Sequence, residues 1–446
     1  MSISINLNST TDTGGGIDVT AVVKQILDAE RGPENLWKAA QSTLNVQTST
    51  WNSIKSNLAS LLANINSLKD LSGALSAKVA TSSNSNVVTA TATFSAAIAN
   101  HVVVVNNPAT TSSYYTDPVA DATTTFANGT FGLQVGSNAP VTITVDNTNN
   151  TLEKLATYIN GQHLGVSASV ITDATGARLA LVSQSTGQPG DLSITSNTTG
   201  LIFNKSSAAT NASLTIDSVP VSSTSNTVTG ALPGVTLQLT GQSATPVQIS
   251  IAADSSAIKK AINDFVSSYN AVAAAINLQF KVDPTTHAAG ALAPDSTLRS
   301  VQTTLLGDVT YSITGNNGFT SLESFGIHMQ NDGTLTVDDT KVSSVIANNL
   351  AELQTFFQSS NATGFGQNFS TSAALLTSSQ GGIQLDLDQI SKTQAMLTEQ
   401  INHLEERLAM KETMLIIQYS RVDAALRQFP LLMSQISGQL AALSNK

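Results

Sequence analysis

The 446-residue chain contains no cysteine, which excludes disulfides, thiolate nucleophiles and cysteine-ligated zinc or iron–sulfur sites. Charge is also scarce. Asp, Glu, Lys and Arg make up 11% of the residues, with 30 acids against 20 bases and a net charge of -10. No basic cluster exists to neutralise a phosphate backbone, so no nucleic-acid partner is expected. No run of eighteen apolar residues is present, and no membrane insertion is expected. The opening MSISINLNSTTDTGGG has neither a basic nor an apolar region of the kind a cleaved signal peptide needs, so if the protein leaves the cell another route is expected.

The residue types of catalysis are present without their spacings. His101, His163, His287, His328 and His403 fall in different elements with no paired pattern, so no metal site is expected. The glycines at 14–16 lack the Gly-Lys-Ser/Thr that completes a phosphate loop, and no G-x-S-x-G elbow occurs. Asp386 and Asp388 lie at a helix start, where carboxylates favour the helix dipole. Gln330-Asn331-Asp332-Gly333 lacks the alternating acids of a calcium loop and reads as a turn. The expectation is a protein that is not an enzyme and holds no cofactor.

What is there is structural. Hydrophobic residues reach 41% and mean hydropathy is +0.07, enough for real cores, and the length predicts two to four domains. Asp18 is placed to cap a short helix whose apolar side carries Val19, Val22, Val23, Ile26 and Leu27, and Arg31-Gly32-Pro33 interrupts it. A second helix to about residue 71 carries Trp51, Ile54, Leu58, Leu61, Ile65 and Leu68 at alternating spacings of three and four, an a/d seam.

From residue 79 the period changes to two. Alternating runs at 86–94 and 101–107, four strand signals around one helix in 129–187, and further strands from 212 to 251 predict a β-rich body. Helical spacing returns at Asp254, and 326–338 reads as a hairpin across Asn331-Asp332-Gly333.

Near the C-terminus an a/d register runs through Ile390, Gln394, Leu397, Ile401, Leu404, Leu408, Lys411, Leu415, Gln418, Val422, Ala425 and Phe429, then Leu432, Ile436, Gln439 and Leu443. Twelve of these sixteen positions are apolar, so the stripe needs a partner along its length. Pro430 is expected to break the helix near Phe429.

These signals predict an α+β multidomain chain. Both chain ends form a discontinuous helical coiled-coil stalk, with β-rich head domains inserted between them. The expected domains are a helical stalk from 41–78 and 252–429, a β-rich head from 79–110 and 205–251, and an inserted outer α+β module at 111–204. Residues 1–40 and 430–446 are expected to be docking segments, mobile in the isolated protein, because their stripes have no evident internal partner. The docking residues would be Ile17, Val22, Ile26, Leu432, Ile436, Leu440 and Leu443. The stalk would be joined by the Trp51–Leu68 seam packing on Leu397, Ile401, Leu404, Leu408, Leu415 and Val422.

The segment GGGIDVTAVVKQILDAERGP (14–33), DSTLRSVQTTL (295–305), SLESFGIHMQNDGTLTVDDTKV (321–342) and INHLEERLAMKETMLIIQYSRVDAAL (401–426) together resemble the flagellar filament cap family, flagellar hook-associated protein 2. The likeness runs along most of the chain and is weakest at 111–204. It implies a ring-shaped homo-oligomer at the distal end of the bacterial flagellar filament, promoting folding and insertion of exported flagellin and preventing its loss. It further implies flagellin, hook-associated junction proteins and an export chaperone as partners, and secretion through the flagellar type III apparatus to the extracellular filament tip. Two alternatives stand beside it: another axial flagellar protein, such as a hook–filament junction protein, or a surface adhesin, for which an anchor would be expected beyond Ala-Leu-Ser-Asn-Lys at the end of the chain.

Overall fold

The computed structural model describes residues 17–285, 287–359 and 364–444. The chain divides into a helical unit, made of the residues up to Lys69 and those from Ile262 onward, and a sheet unit from Asp70 to Ala261.

The helical unit begins with α1 (Val19–Glu30), whose N-terminus is capped by the Asp18 carboxylate accepting from the Ala21 N–H at 3.0 Å. A single residue, Arg31, separates it from α2 (Gly32–Lys69). Pro33 falls in the first turn of α2, where its missing N–H has no partner to lose. Trp51, Ile54, Leu58, Leu61, Ile65 and Leu68 are all fully buried along one face.

In the sheet unit, β1 (Lys78–Ser82), β2 (Val88–Ala92) and β3 (Ala99–Asn107) start a base module, and β4 (Ser113–Thr116) leads into an inserted one. The inserted module continues through β5 (Gly129–Val135), β6 (Val141–Val145), α3 (Leu152–Gly161), β7 (Val166–Asp173), β8 (Gly176–Ser183), β9 (Leu192–Thr195) and β10 (Phe203–Ser207). The base module resumes with β11 (Ala212–Ile216), β12 (Val219–Ser223), β13 (Thr227–Leu232), β14 (Val235–Leu239) and β15 (Ser243–Ala253).

Strand order in the base module is β1-β15-β3-β11-β12 in one sheet and β13-β14-β2 in the other, and every pairing is antiparallel. Alternate residues such as Val103, Val105, Leu214, Leu237 and Ile249 share its core. The inserted module has sheets β10-β4-β8-β7 and β6-β5-β9, and the apolar side of α3 (Leu152, Leu155, Ile159) joins Phe131, Leu179 and Leu181 in a second core.

The two modules are stitched by uncharged groups. Thr110 N–H donates to Thr210 O at 2.9 Å, Thr186 Oγ1 to Thr224 O at 2.9 Å, and Gln188 N–H to Asn211 Oδ1 at 2.8 Å. Gly187 sits at this crossing with φ +76°, and a Cβ there would lie 2.5 Å from Thr224 O, so both conformation and space call for glycine.

The chain then returns to helices: α4 (Ser255–Phe280), α5 (Ser296–Val309), the hairpin β16 (Ile327–Met329) and β17 (Leu335–Val337), α6 (Asp339–Asn348), α7 (Leu350–Gln358), α8 (Phe365–Thr377) and α9 (Gly382–Ser444). Phenylalanines fill the core: Phe265, Phe356, Phe357, Phe365 and Phe369 are fully buried, Phe356 stacks on Phe365 at 4.6 Å, and Phe265 meets Phe369 edge-on at 5.5 Å.

Three expectations are corrected here. Residues 17–40 are not a separate segment: α1 and the start of α2 belong to the helical unit, because the apolar side of α1 is packed on α9. The helical unit ends at Lys69 rather than 78, since the chain turns at 70–73 before β1. Pro430 does not break α9, which continues to Ser444. Proline there forfeits one intrahelical bond, and the turns on either side keep theirs.

One device recurs in a chain poor in charge. An asparagine amide has the donor and acceptor of a peptide unit, and three of them pair with one backbone residue through both groups. Asn160 does so with Ala168 (2.8 and 2.8 Å), Asn226 with Ala109 (2.9 and 2.7 Å), and Asn270 with Leu335 (2.8 and 2.7 Å). The last fastens β17 to α4, and Asn277, two turns further along α4, holds the tip of the same hairpin through Asp332 O at 2.8 Å. Asn270→Ala strands both backbone groups of buried Leu335 and is expected to cost about 1–3 kcal/mol. Asn277→Ala removes one bond in an exposed setting and should cost about 0.5–1 kcal/mol. Urea unfolding of the two variants checks the order.

Candidate functional site

The candidate site is the pair of chain ends, and α9 organises it. A helix of this length with an apolar stripe needs a facing surface, and the chain supplies one antiparallel to it. Ile17 N–H donates to Asp423 Oδ1 at 2.8 Å, Lys411 pairs with Glu30, and Arg31 Nη1 meets Glu405 Oε1 at 2.5 Å. Gln41 Nε2 then reaches Thr398 Oγ1 at 2.8 Å, Gln394 Nε2 reaches Asn45 Oδ1 at 2.7 Å, and Lys55 Nζ reaches Gln384 Oε1 at 2.6 Å. From Gln41 to Lys55, fourteen residues forward on one helix match fourteen back on the other. The register is constant.

Two of the polar interruptions in the stripe, Gln394 and Lys411, are thus the residues that bond across the seam. Polar groups at such positions fix register, because any slip would leave them unpaired against apolar side chains. Between them, Leu404 and Leu408 are buried with Val23 and Leu27 of α1, flanked by Trp37, Leu415 and Tyr419.

The one-residue break between α1 and α2 is held by charge. Glu34 is only 2% exposed, and hydrogen bonds from Lys38 and Arg31 keep its carboxyl below the usual range against the opposing push of burial. The bond to Glu405, helped by Glu34, holds Arg31 above its ordinary value. Removing one member of such a buried set leaves the others uncompensated.

The structure places the expected residues as follows. Trp51, Ile54, Leu58, Leu61, Ile65 and Leu68 are buried, but not against the length of α9 assumed from sequence. Hydrogen bonds from Asn57 and Asn64 reach α4 at Ala271 O and Asp264 O, and Lys69 Nζ reaches Ser370 Oγ on α8. The second half of α2 therefore lies against α8 and α7, with side-chain bonds to α4, and α9 takes residues 17–55 as its partner. Phe356 and Phe357 of α7 and Phe365 and Phe369 of α8 are buried on that side and give the second half of α2 an apolar surface to pack on.

Leu397, Leu404 and Leu408 are buried and Ile401 and Leu415 are half-buried, but Val422 is 41% exposed, so the seam stops short of it. Val22 is buried and Ile17 and Ile26 are half-buried, so the stripe of α1 has its partner within the chain, contrary to expectation. Leu432, Ile436 and Leu440 are exposed, and the side chain of Leu443 lies outside those described.

Sequence reading missed Glu34 and Tyr419, and it put Val23 and Leu27 on the apolar side of α1 without finding their partners Leu404 and Leu408. The available signal was Arg31, Glu34 and Lys38 at spacings of three and four beside the break. An acid between two bases on one helix face marks a charge set, not a mere interruption.

Past Asp423, α9 keeps the same apolar face with no described segment opposite it: Leu426, Phe429, Met433, Ile436 and Leu440 continue the line of Leu404, Leu408 and Leu415, and Phe429 is 62% exposed. Among the described residues no group of three or more His, Asp or Glu is gathered as for a metal, and no helix is long and apolar enough to cross a membrane. What this arrangement can do chemically is bury apolar area against another helix.

Known proteins share this architecture. Family models match residues 15–112 (flagellar hook-associated protein 2 N-terminus), 209–430 (flagellar hook-associated protein 2 C-terminus) and 130–185 (flagellin hook IN motif). The last spans β5 to β8. The B-type flagellar hook-associated protein 2 of Pseudomonas aeruginosa is 27% identical, covering 96% of this chain and 97% of its own. Flagellar hook-associated protein 2 of Escherichia coli strain K12 is 24% identical, covering 98% and 99%. The crystal structure of the flagellar cap protein FliD D1-D2-D3 domains from Escherichia coli superposes with a TM-score of 0.63 at 25% identity, over 77% of this chain and 99% of that one. The junction-protein and adhesin readings find no support among these matches.

The seam makes a sharp contrast testable. Leu404→Ala, in the buried part, should cost about 2–5 kcal/mol and release α1, read as new protease cleavage within Val19–Glu30. Val422→Ala, on the exposed continuation, should change stability by less than about 0.5 kcal/mol and leave α1 protected.

Proposed function

This chain belongs to the flagellar hook-associated protein 2 family, and we propose that it caps the flagellar filament by docking the exposed end of α9 on its neighbours there. It is a filament cap protein of the flagellum tip. The observation that carries the docking reading is the apolar face of α9 beyond Asp423. It prolongs a seam already filled by α1, so it is preformed for a helix of similar kind.

Burying one leucine-sized side chain of that face gives about 1.5–3 kcal/mol. Ordering and immobilisation at docking offset much of it. A few such contacts in each subunit of an oligomer are together firm and individually weak, which suits a cap that must stay on while subunits enter beneath it. We infer that Leu432, Ile436, Leu440 and Leu443 lead this docking. Ile17, Val22 and Ile26 would contribute by holding α1 against α9 rather than by direct contact.

The finer reading follows from the same premise. Flagellin subunits would arrive unfolded, fold under a ring of these chains and be retained there. The low charge of the chain suits a surface along which unfolded segments pass without electrostatic capture. Hook-associated junction proteins would be the first surface on which the ring settles, an export chaperone would hold the chain before secretion, and the flagellar type III apparatus would carry it out. Nothing in this role calls for catalysis.

Deleting residues 431–446 tests the docking claim. The expected outcome is an unchanged urea midpoint for the purified protein, together with flagellin appearing in the culture medium as monomer and few filaments on the cells. Filaments of normal number and length on cells making the truncated chain would show that this end of α9 is not the docking element.

A further inference from the structure

Two carboxyl groups bracket α5, and neither sits where an ion is comfortable. Asp308 stands in the last turn of α5, only 5% exposed. Its Oδ1 takes one long bond from Asn368 Nδ2 of α8 at 3.4 Å, and its Oδ2 has no hydrogen-bond partner. The unpaired carbonyls at the helix C-terminus make this the wrong end for a negative charge.

The other groups facing it do not compensate. Tyr269 of α4 lies alongside, its hydroxyl pushed up to about 12 by burial and by the Asp308 charge. Burial pushes Asp308 itself up to about 6, with only the Ser372 hydroxyl of α8 drawing it the other way. No basic residue occurs in α8, and Lys259 and Lys260 lie more than two turns before Tyr269 on α4. Lys69 of α2 reaches α8 but is held by Ser370 Oγ at 3.1 Å.

At the opposite end of α5, Asp386 of α9 faces the first turn. Its Oδ2 is buried without a hydrogen-bond partner. Burial raises this carboxyl, the Thr297 side chain opposes that, and the capping Asp295 adds a like charge. Lys55 of α2 comes to the same turn of α9 but is bonded to Gln384 Oε1. Between these ends, Leu305 and Leu306 of α5 help line a cleft of about 390 Å3 with α4 and the β16–β17 hairpin.

We propose that α5 is a proton-sensitive latch of the helical unit: with Asp308 and Asp386 protonated both its ends are seated, and ionisation of the two carboxyls loosens it and opens the adjoining cleft. The sign follows from linkage. A folded protein that binds a proton its unfolded chain has released loses stability as pH rises from the unfolded value, 3.8, through the folded one, about 6 for Asp308, and is level above that. Glu34, Asp332, Asp338, Glu352 and Asp423 are held low instead. Their contributions are lost only as pH falls through folded values below the ordinary carboxylate range. Between about pH 5 and pH 7 these acids therefore contribute nothing that varies, and a chain carrying Asp308→Asn and Asp386→Asn is the control for the histidines of this unit, His287, His328 and His403.

Hydrogen exchange on the full chain reads it directly. After correction for intrinsic rates, the opening equilibrium of amides in Val301–Val309 should rise roughly 10- to 100-fold from pH 5 to pH 7.5, while amides around Leu58 in α2 stay constant. Asp308→Asn combined with Asp386→Asn should abolish the rise. Equal pH dependence in the wild-type and doubly substituted chains, or a parallel change in α2, overturns the proposal. A carbon-13 carboxyl titration of the wild-type protein decides the matter without any variant. A midpoint for Asp308 above about 5 supports the latch, and one below about 4 refutes it.

Discussion

The helical unit depends on one constraint: an apolar stripe along a 63-residue helix must be covered or left in water. Covering it brings together residues 406 and 381 apart, Ile17 with Asp423 and Glu30 with Lys411. Everything between Lys69 and Ile262 is then an excursion that starts and finishes in the same helical unit. The polar members of the stripe matter as much as the apolar ones. Leucines alone would tolerate a slip by a heptad. Gln394 on Asn45 and Lys411 on Glu30 would not, since a slip leaves amide and ammonium against side chains that cannot answer them.

Scarcity of charge shapes the rest. Most acids of the loops are used locally, closing turns. Asp121, Asp146, Asp173 and Asp332 each accept from both the N–H and the hydroxyl of the threonine two residues on, and those bonds hold their carboxyls low. Asparagine amides then do between elements what ion pairs do in more highly charged proteins. The exceptions, Arg31–Glu34–Lys38 at the helix break and Asp308 under α8, stand out against this background because each places charge where solvent is thin.

Legibility in the sequence followed the range of the interaction. Features decided within a few residues were readable: the cap Asp18, the seam positions Trp51 to Leu68, and the turn at Asn331-Asp332-Gly333. The family was readable from four motifs. What a stripe packs against was not, because period reveals a face and says nothing of its occupant. The second half of the Trp51–Leu68 helix turned out to lie on α7 and α8, α1 found its partner on α9, and Val422 lay past the end of the cover. Pro430 was misjudged for a related reason. A local rule priced one lost bond but not the many retained turns around it.

The paired asparagine amides have a further consequence, in how the sheet unit responds to its medium. A bond between an amide and a peptide group carries no net charge, so ionic strength does not screen it and proton concentration does not titrate it. Asn160 on Ala168 and Asn226 on Ala109 hold as well in brine as in fresh water. A protein at the tip of a flagellum meets whatever surrounds the cell, with no cytoplasm to buffer it. Fastening its sheets at these points with neutral groups makes those joints indifferent to a composition the cell does not control.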